Sequence, residues 1–270
     1  MIKIIINADD YGMNPNCTQA ITDCMKKGWV TNTSLMVNMP SCEEAVKQAN
    51  DNDLADMIGL HVNFTQGIPL TSRIRENRQF CDEMGEFNWG FRSGGFKKLL
   101  KPLSAADAEV MREEAEAQFQ RYLDLGLPIK HFDAHHHSHL VYRVIPTIFA
   151  VAKKYGFKSV RRPVNVAVRE KLKARMYYPV NAWWKTVRMR PYGFAFTDYM
   201  GALADLRSLY RKLKDGSTLD LMVHPMYLKD GELDMAGEMS DSGLRPMAET
   251  ADFINSNSSI FTKISYKDIQ

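Results

Sequence analysis

Five of the seven histidines in this chain of 270 residues fall in one stretch, HFDAHHHSHL, at positions 131, 135, 136, 137 and 139. Packing alone does not account for that density. In an extended strand Asp133, His135, His137 and His139 point to one side, whereas in a helix His135 and His139 share a face. Either geometry brings two ring nitrogens together, and His135 is favoured by both. Asp10 and His61, at the ends of two other apolar runs, add a carboxylate and a further imidazole. Such a group of donors suits a divalent metal ion.

Asp9 and Asp10 are adjacent in the opening run MIKIIINADDYG. Two carboxylates facing one pocket repel each other, and a cation bound to one of them resolves the conflict. The other then stays free beside a metal-activated water and can accept its proton, the division of labour that hydrolysis requires. The alternative is that both aspartates merely cap the helix that begins near Asn14. His224 closes the apolar run LDLMVHP, with Asp220 four residues earlier on the same side of a strand and so able to orient the imidazole. Arg161 and Arg162 put fixed cations at another strand end, able to hold Asp9 ionised or to bind a substrate anion.

Residues so far apart in sequence need a scaffold that collects strand ends. The spacing of β-branched and apolar residues predicts strands at 3–7, 34–37, 57–61, 130–134, 157–160, 219–223 and 261–264. Helical spacing, with capping and Gly or Pro stop signals, predicts helices at 14–27, 41–50, 104–125, 142–155, 202–214 and 245–255. Ser41 and Ser104 stand at cap positions. The stretches 63–102 and 162–200 lack periodicity, the second being rich in aromatic residues, and read as long irregular segments. Strand alternating with helix is the pattern of a parallel α/β sheet and, repeated this often, of a (β/α) barrel. In such a barrel functional groups gather at the C-terminal rim, where Asp9, Asp10, His61, the histidine run, Arg161 and His224 all fall. Barrels of this kind occupy roughly 250 residues as one unit, so a single domain over 1–270 is expected.

Composition narrows the classes. With 35 Lys and Arg against 32 Asp and Glu the net charge is +3, and no basic stripe points to nucleic acid or a membrane surface. No run reaches the roughly 18 apolar residues of a membrane span, and the run at 4–6 is too short for a signal-peptide core. A cytoplasmic location is expected. The four cysteines form no CxxC pair, and Cys17 and Cys24 lie seven apart on one helix face, which suggests buried free thiols.

Taken in order, NADDYG, GLHVNFT around His61, HFDAHHHSH, VRRP and LMVHP resemble the YdjC-like carbohydrate deacetylases, also called the chito-oligosaccharide deacetylase family. The resemblance runs from Ile4 to the closing ISYKDI. It departs from the commoner pattern at Ala134, where Ser is usual, and at Tyr11, where Phe is frequent. It implies a distorted (β/α) barrel and divalent-metal-dependent removal of an acetyl group from an N-acetylated amino sugar, phosphorylated or not. It further implies Asp10, His61 and His135 as metal ligands, Asp9 as general base, His224 as general acid and Arg161 as the group that orients Asp9. The donor set accepts Mg or Zn ahead of Mn or Fe. His139 and Asp133 stand near enough in sequence to join the metal or to support its ligands. Two other readings compete: a metal-dependent phosphoesterase, and a sugar- or metal-binding protein without catalysis. A small acetylated sugar is the expected partner, and a homodimer is expected from the general frequency of twofold assemblies.

Overall fold

A computed structural model of the chain describes residues 1–92, 101–167, 172–202, 206, 210–227, 233–235 and 247–269. Its centre is a parallel sheet in the order β5-β4-β3-β2-β1-β7-β6, with β10 beside the first residues of β1. The strands are β1 Ile2–Tyr11, β2 Asn32–Leu35, β3 Ile58–Val62, β4 His131–Ala134, β5 Ser159–Val160, β6 Tyr199–Ala202, β7 Thr218–Val223 and β10 Phe261–Lys263. A short antiparallel pair, β8 Pro225–Tyr227 and β9 Leu233–Met235, lies outside it. The two edges of the sheet are drawn together by main-chain bonds, Val160 N to Ala195 O at 3.0 Å and Val166 N to Met200 O at 3.1 Å. The result is a distorted barrel.

β1 is central, and Ile4, Ile5 and Ile6 are all fully buried, as expected of a strand covered on both faces. Its side chains alternate. Ile4, Ile6 and Ala8 join the large core under the helices, whereas Ile5 packs inside the barrel with Ile129 and Tyr266. By the same period of two, Asn7 and Asp9 follow Ile5 into the interior.

The outer layer is α1 Pro15–Lys26, α2 Cys42–Asp51, α4 Ala105–Asp124 and α5 Ile145–Lys154. Each buries residues three or four apart, such as Ile21 and Cys24 on α1 or Met111, Ala115 and Phe119 on α4. α1 is capped by Asn14, whose extended backbone and side-chain bond to Cys17 N at 3.0 Å precede Pro15. Asp9 and Asp10 therefore do not cap it. Ser104 caps α4 through Asp107 N, but Ser41 makes no side-chain cap bond at α2.

The irregular reading of 162–200 is corrected: Leu172–Met189 is a helix, α6. Its buried stripe of Ala182, Thr186 and Met189 is narrow, Tyr177, Val180, Trp183, Trp184 and Val187 are exposed, and Pro179 lies inside it. Apolar residues on the wet face erase the periodicity from which a helix is read. In the stretch 63–102 the short helix α3 Ser72–Arg75 and a 3-10 turn at Gly90–Arg92 interrupt the loop, and 93–100 lie outside the described residues. The helix expected over 202–214 begins with a strand residue, Ala202, and ends in a 3-10 turn at Tyr210–Lys212, while 203–205 and 207–209 lie outside the described residues. α7 is Met247–Ser256. No helix among the described residues is long and apolar enough to cross a membrane.

Candidate active site

The site begins with an irregularity in β1. Ala8 pairs with Thr33 and Tyr11 with Leu35, so three steps on β1 meet two on β2, and Asp10 takes up the extra residue at φ 71°. A left-handed aspartate costs on the order of 1 kcal/mol or more. The bulge lets adjacent side chains, which a regular strand would send to opposite faces, both approach His61.

Asp10 Oδ1 lies 3.2 Å from His61 Nε2 and 2.7 Å from His135 Nδ1, yet among the described residues this buried oxygen has no contact of hydrogen-bond geometry. Each imidazole is held from behind. His61 Nδ1 meets Asp133 Oδ1 at 2.6 Å, and His135 Nε2 meets Gln66 Oε1 at 3.0 Å. One oxygen and two nitrogens thus converge with their rear atoms tied, the way metal-binding histidines are oriented. These three residues could hold a divalent ion, and the orphaned oxygen is the observation that fits them to it. Asp9, His61 and Asp133 also cluster, but there His61 Nδ1 is spent on Asp133 and Arg161 already bridges both carboxylates.

Arg161 follows β5 and is buried at 1% exposure. Its Nη1 and Nη2 hold Asp9 at 2.5 and 2.8 Å, Nη1 also reaches Asp133 at 2.9 Å, and Nε bonds Asp220 at 2.8 Å. Asn7 donates to Asp9 Oδ1 at 2.9 Å, and Ser34 bonds Asp133 at 3.1 Å. His224, after β7, presents Nε2 at 3.9 Å from Asp9 Oδ2 and is 27% exposed, so it stands at the mouth while the others lie within.

Burial alone would push Asp9 up, but the Arg161 guanidinium, with His61 and His224, more than offsets it and holds the carboxyl well below the usual range. Asp10 is likewise raised by burial and brought well below by His135 and His61. Burial depresses His61, but Asp133 and Asp10 pull it up to about 10, so with no cation between them it keeps a proton. Burial holds His131 and His139 well below the ordinary value, His136 at about 4 and His137 at about 3. Asp9, Asp133 and Asp220 share the one Arg161 guanidinium, and Asp10 faces the His61 and His135 imidazoles, so the cluster is rich in carboxylate charge that a dication would reduce.

Asp9, Asp10, His61, His135, Arg161 and His224 lie at one end of the barrel. The histidine run is neither strand nor regular helix. β4 stops at Ala134, and His136 and His137 are both left-handed at φ 53°. That fold turns His139 away, its Nε2 donating to Arg161 O at 3.1 Å, and keeps it from the converging donors. Asp133 instead backs His61. The expectation that Asp220 orients His224 is corrected: Asp220 faces the barrel interior and bonds Arg161 and Tyr266. His224 leaves the strand before the next inward position, because β7 ends at Val223. Asn7 and Ser34 escaped notice as ordinary strand residues, although Asn7 sits two before Asp9 on the same face. Gln66 gives no local signal. It reaches His135 from a loop that α4 pins, where Gln118 bonds Asn63 N and O and Glu114 accepts from Leu70 N and Thr71 N.

Among known proteins, the family model described as YdjC-like protein matches residues 3–253. A carbohydrate deacetylase of Vibrio cholerae serotype O1 (strain M66-2) is 36% identical over 178 residues, 66% of this chain and 65% of that protein. The aligned part thus spans just under two thirds of that relative. A carbohydrate deacetylase of Thermoanaerobacter pseudethanolicus is 31% identical over 233 residues, 85% of this chain and 83% of that protein. A crystal structure from Enterococcus faecalis V583, described as a candidate cellobiose-phosphate cleavage protein, superposes with a TM-score of 0.69 and 19% identity over 99% of this chain and 98% of that one. That last likeness is one of fold.

Proposed function

The chain belongs to the YdjC-like protein family, and on that premise we propose that it is a metal-dependent hydrolase that removes the acetyl group from an N-acetylated amino sugar or chito-oligosaccharide. The observation that carries this reading is the convergence of Asp10 Oδ1, His61 Nε2 and His135 Nδ1 beside an ionised Asp9. The two relatives named carbohydrate deacetylases support the choice of bond.

A divalent ion held by Asp10, His61 and His135 would supply Lewis acidity to the acetyl carbonyl and acidify water. The remaining chemistry falls to side chains. Asp9 Oδ1 is filled by Asn7 and Arg161, whereas Oδ2 takes one Arg161 bond and faces the mouth beside His224. Oδ2 is therefore the atom that accepts the proton of the attacking water. Arg161 keeps that carboxylate ionised and stops it from turning. The amine leaves poorly unless protonated, and His224, the one partly exposed member of the set, donates that proton from the substrate side. Acetate and a free amino sugar result.

The test is acetate release from a panel of N-acetylated sugars, diacetylchitobiose with and without a 6-phosphate included, by protein loaded with Mg, Mn or Zn. Release from any member supports the reading. No release from every member, in folded and metal-loaded protein, overturns it.

A further inference from the structure

A buried polar chain links the rim of the barrel to the last turn of the described residues. After β10 the chain makes a 3-10 turn, Tyr266–Ile269, and Tyr266 packs with Ile5 and Ile129 inside the lower barrel. Its ring stacks on His131, centroids 3.2 Å apart and planes 12° from parallel. Gly59 makes room there, since a Cβ would meet His131 O at 3.2 Å. The Tyr266 hydroxyl donates to Asp220 Oδ2 at 2.5 Å, and the same oxygen accepts Arg161 Nε at 2.8 Å. The other two nitrogens of that guanidinium hold Asp9. Tyr266, Asp220, Arg161 and Asp9 are all buried.

We propose that Tyr266 is a positioning residue for the deacetylation proposed above, on which this inference rests: its hydroxyl fixes Asp220, Asp220 fixes the guanidinium through Nε, and the guanidinium sets the orientation of Asp9. The guanidinium is rigid and planar, so an anchor on Nε determines where its two terminal nitrogens point. Nη1 is shared between Asp9 and Asp133, and the Nε bond to Asp220 acts with the Nη2 bond to Asp9 against rotation toward Asp133. Among the described residues Asp220 Oδ1 is buried without a partner, and Tyr266 and Arg161 supply the side-chain hydrogen bonds, both through Oδ2. A fully buried carboxylate that loses one of two donors shifts toward its neutral form and holds Nε less firmly. The turn itself does not depend on the hydroxyl, because Tyr266 N donates to Asn32 Oδ1 at 3.1 Å and the ring is stacked.

Tyr266→Phe, made in the full chain, removes the hydroxyl and keeps that packing. The control is Lys267→Ala in the same turn, which removes an exposed ion pair with Asp56. With diacetylchitobiose as substrate, Tyr266→Phe is expected to lower kcat roughly 10- to 100-fold, with KM and bound metal unchanged and Lys267→Ala at the wild-type rate. Asp220→Asn should act similarly, and the double variant should be no slower than Asp220→Asn alone, because both act through one bond. A crystal structure of Tyr266→Phe should show Arg161 no longer holding Asp9 through both terminal nitrogens. A kcat within twofold of wild type, multiplying effects in the double variant, or an unaltered grip on Asp9 would each overturn the proposal. If the wild-type chain itself releases no acetate, the deacetylase reading fails instead, and the crystal structure still decides the linkage.

Discussion

Arg161 grips Asp9 with both terminal nitrogens, at 2.5 and 2.8 Å, deep inside the barrel. The same guanidinium serves Asp133 and Asp220, so one cation stands among three buried carboxylates. Removing it leaves those charges without their shared cation in a medium that solvates them poorly. Arg161→Ala is expected to cost about 3–5 kcal/mol of stability, and Arg161→Lys to recover little of it because an ammonium cannot span three carboxylates. Urea unfolding measures both. A loss below about 1 kcal/mol for Arg161→Ala would mean that the cluster is not held as described.

Asp9 and His224 carry the two proton transfers in the proposed reaction and bind no ion in it. Asp9→Asn and His224→Ala should each lose roughly 10²- to 10⁴-fold in turnover, about 3 to 5 kcal/mol, with metal content unchanged. Steady-state kinetics with elemental analysis checks both halves. Intact turnover in either variant removes that residue from the mechanism.

Gln66 holds the rear nitrogen of His135 at 3.0 Å and touches none of the other converging donors in the hydrogen-bond pattern. Gln66→Ala should weaken Zn or Mn binding to the chelated protein about 10- to 100-fold, a partial loss. His61→Ala, lacking a donor, should leave no tight binding. Calorimetric titration separates the two, and equal affinities for Gln66→Ala and wild type would show that the hydrogen bond does not orient the ring.

Cys24 and Cys81 are fully buried and free, and burial pushes both thiols up to about 12 from an ordinary 9. The fold therefore disfavours their thiolates. Well below pH 9 both states keep the thiols protonated, and stability is lost as pH rises through 9 toward 12, because the unfolded chain ionises first. At pH 8.5 a thiol reagent should label them only at the rate of unfolding. Labelling as fast as in denatured protein would contradict their burial.

The placement of the rim was legible because strand ends in a parallel barrel fall on one side, and four of the apolar runs in this sequence end on Asp9, His61, Arg161 and His224. Asp9, His61, Arg161 and His224 could be located by that rule alone. The period of two placed Asp133 and His135 on one side, and it failed for His137 and His139, where the strand ends. Ile5, Asn7 and Asp9 obey the same period, although the sequence did not single out Asn7. What escaped the reading was departure from periodicity. The bulge at Asp10 and the left-handed His136 and His137 redirect side chains by one residue each, and nothing in the residue types announces them.

Long-range partners were hidden for a different reason. Asp220 looked toward His224 by spacing, but its partners Arg161 and Tyr266 lie 59 and 46 residues away and meet it only once the sheet closes. α6 was missed because its exposed aromatic residues mimic a core pattern on the wrong face. For Asp220 the local spacing was read correctly and tertiary contact decided the outcome, whereas for α6 the helical spacing itself was hidden.

The measurement that bears most directly on the central claim is acetate release from an N-acetylated sugar before and after the ion is stripped and restored, with bound metal counted in the same samples. The account predicts that turnover disappears with chelation and returns in step with one divalent ion per chain, and that His61→Ala regains neither. Full turnover in protein shown to be free of metal would contradict it.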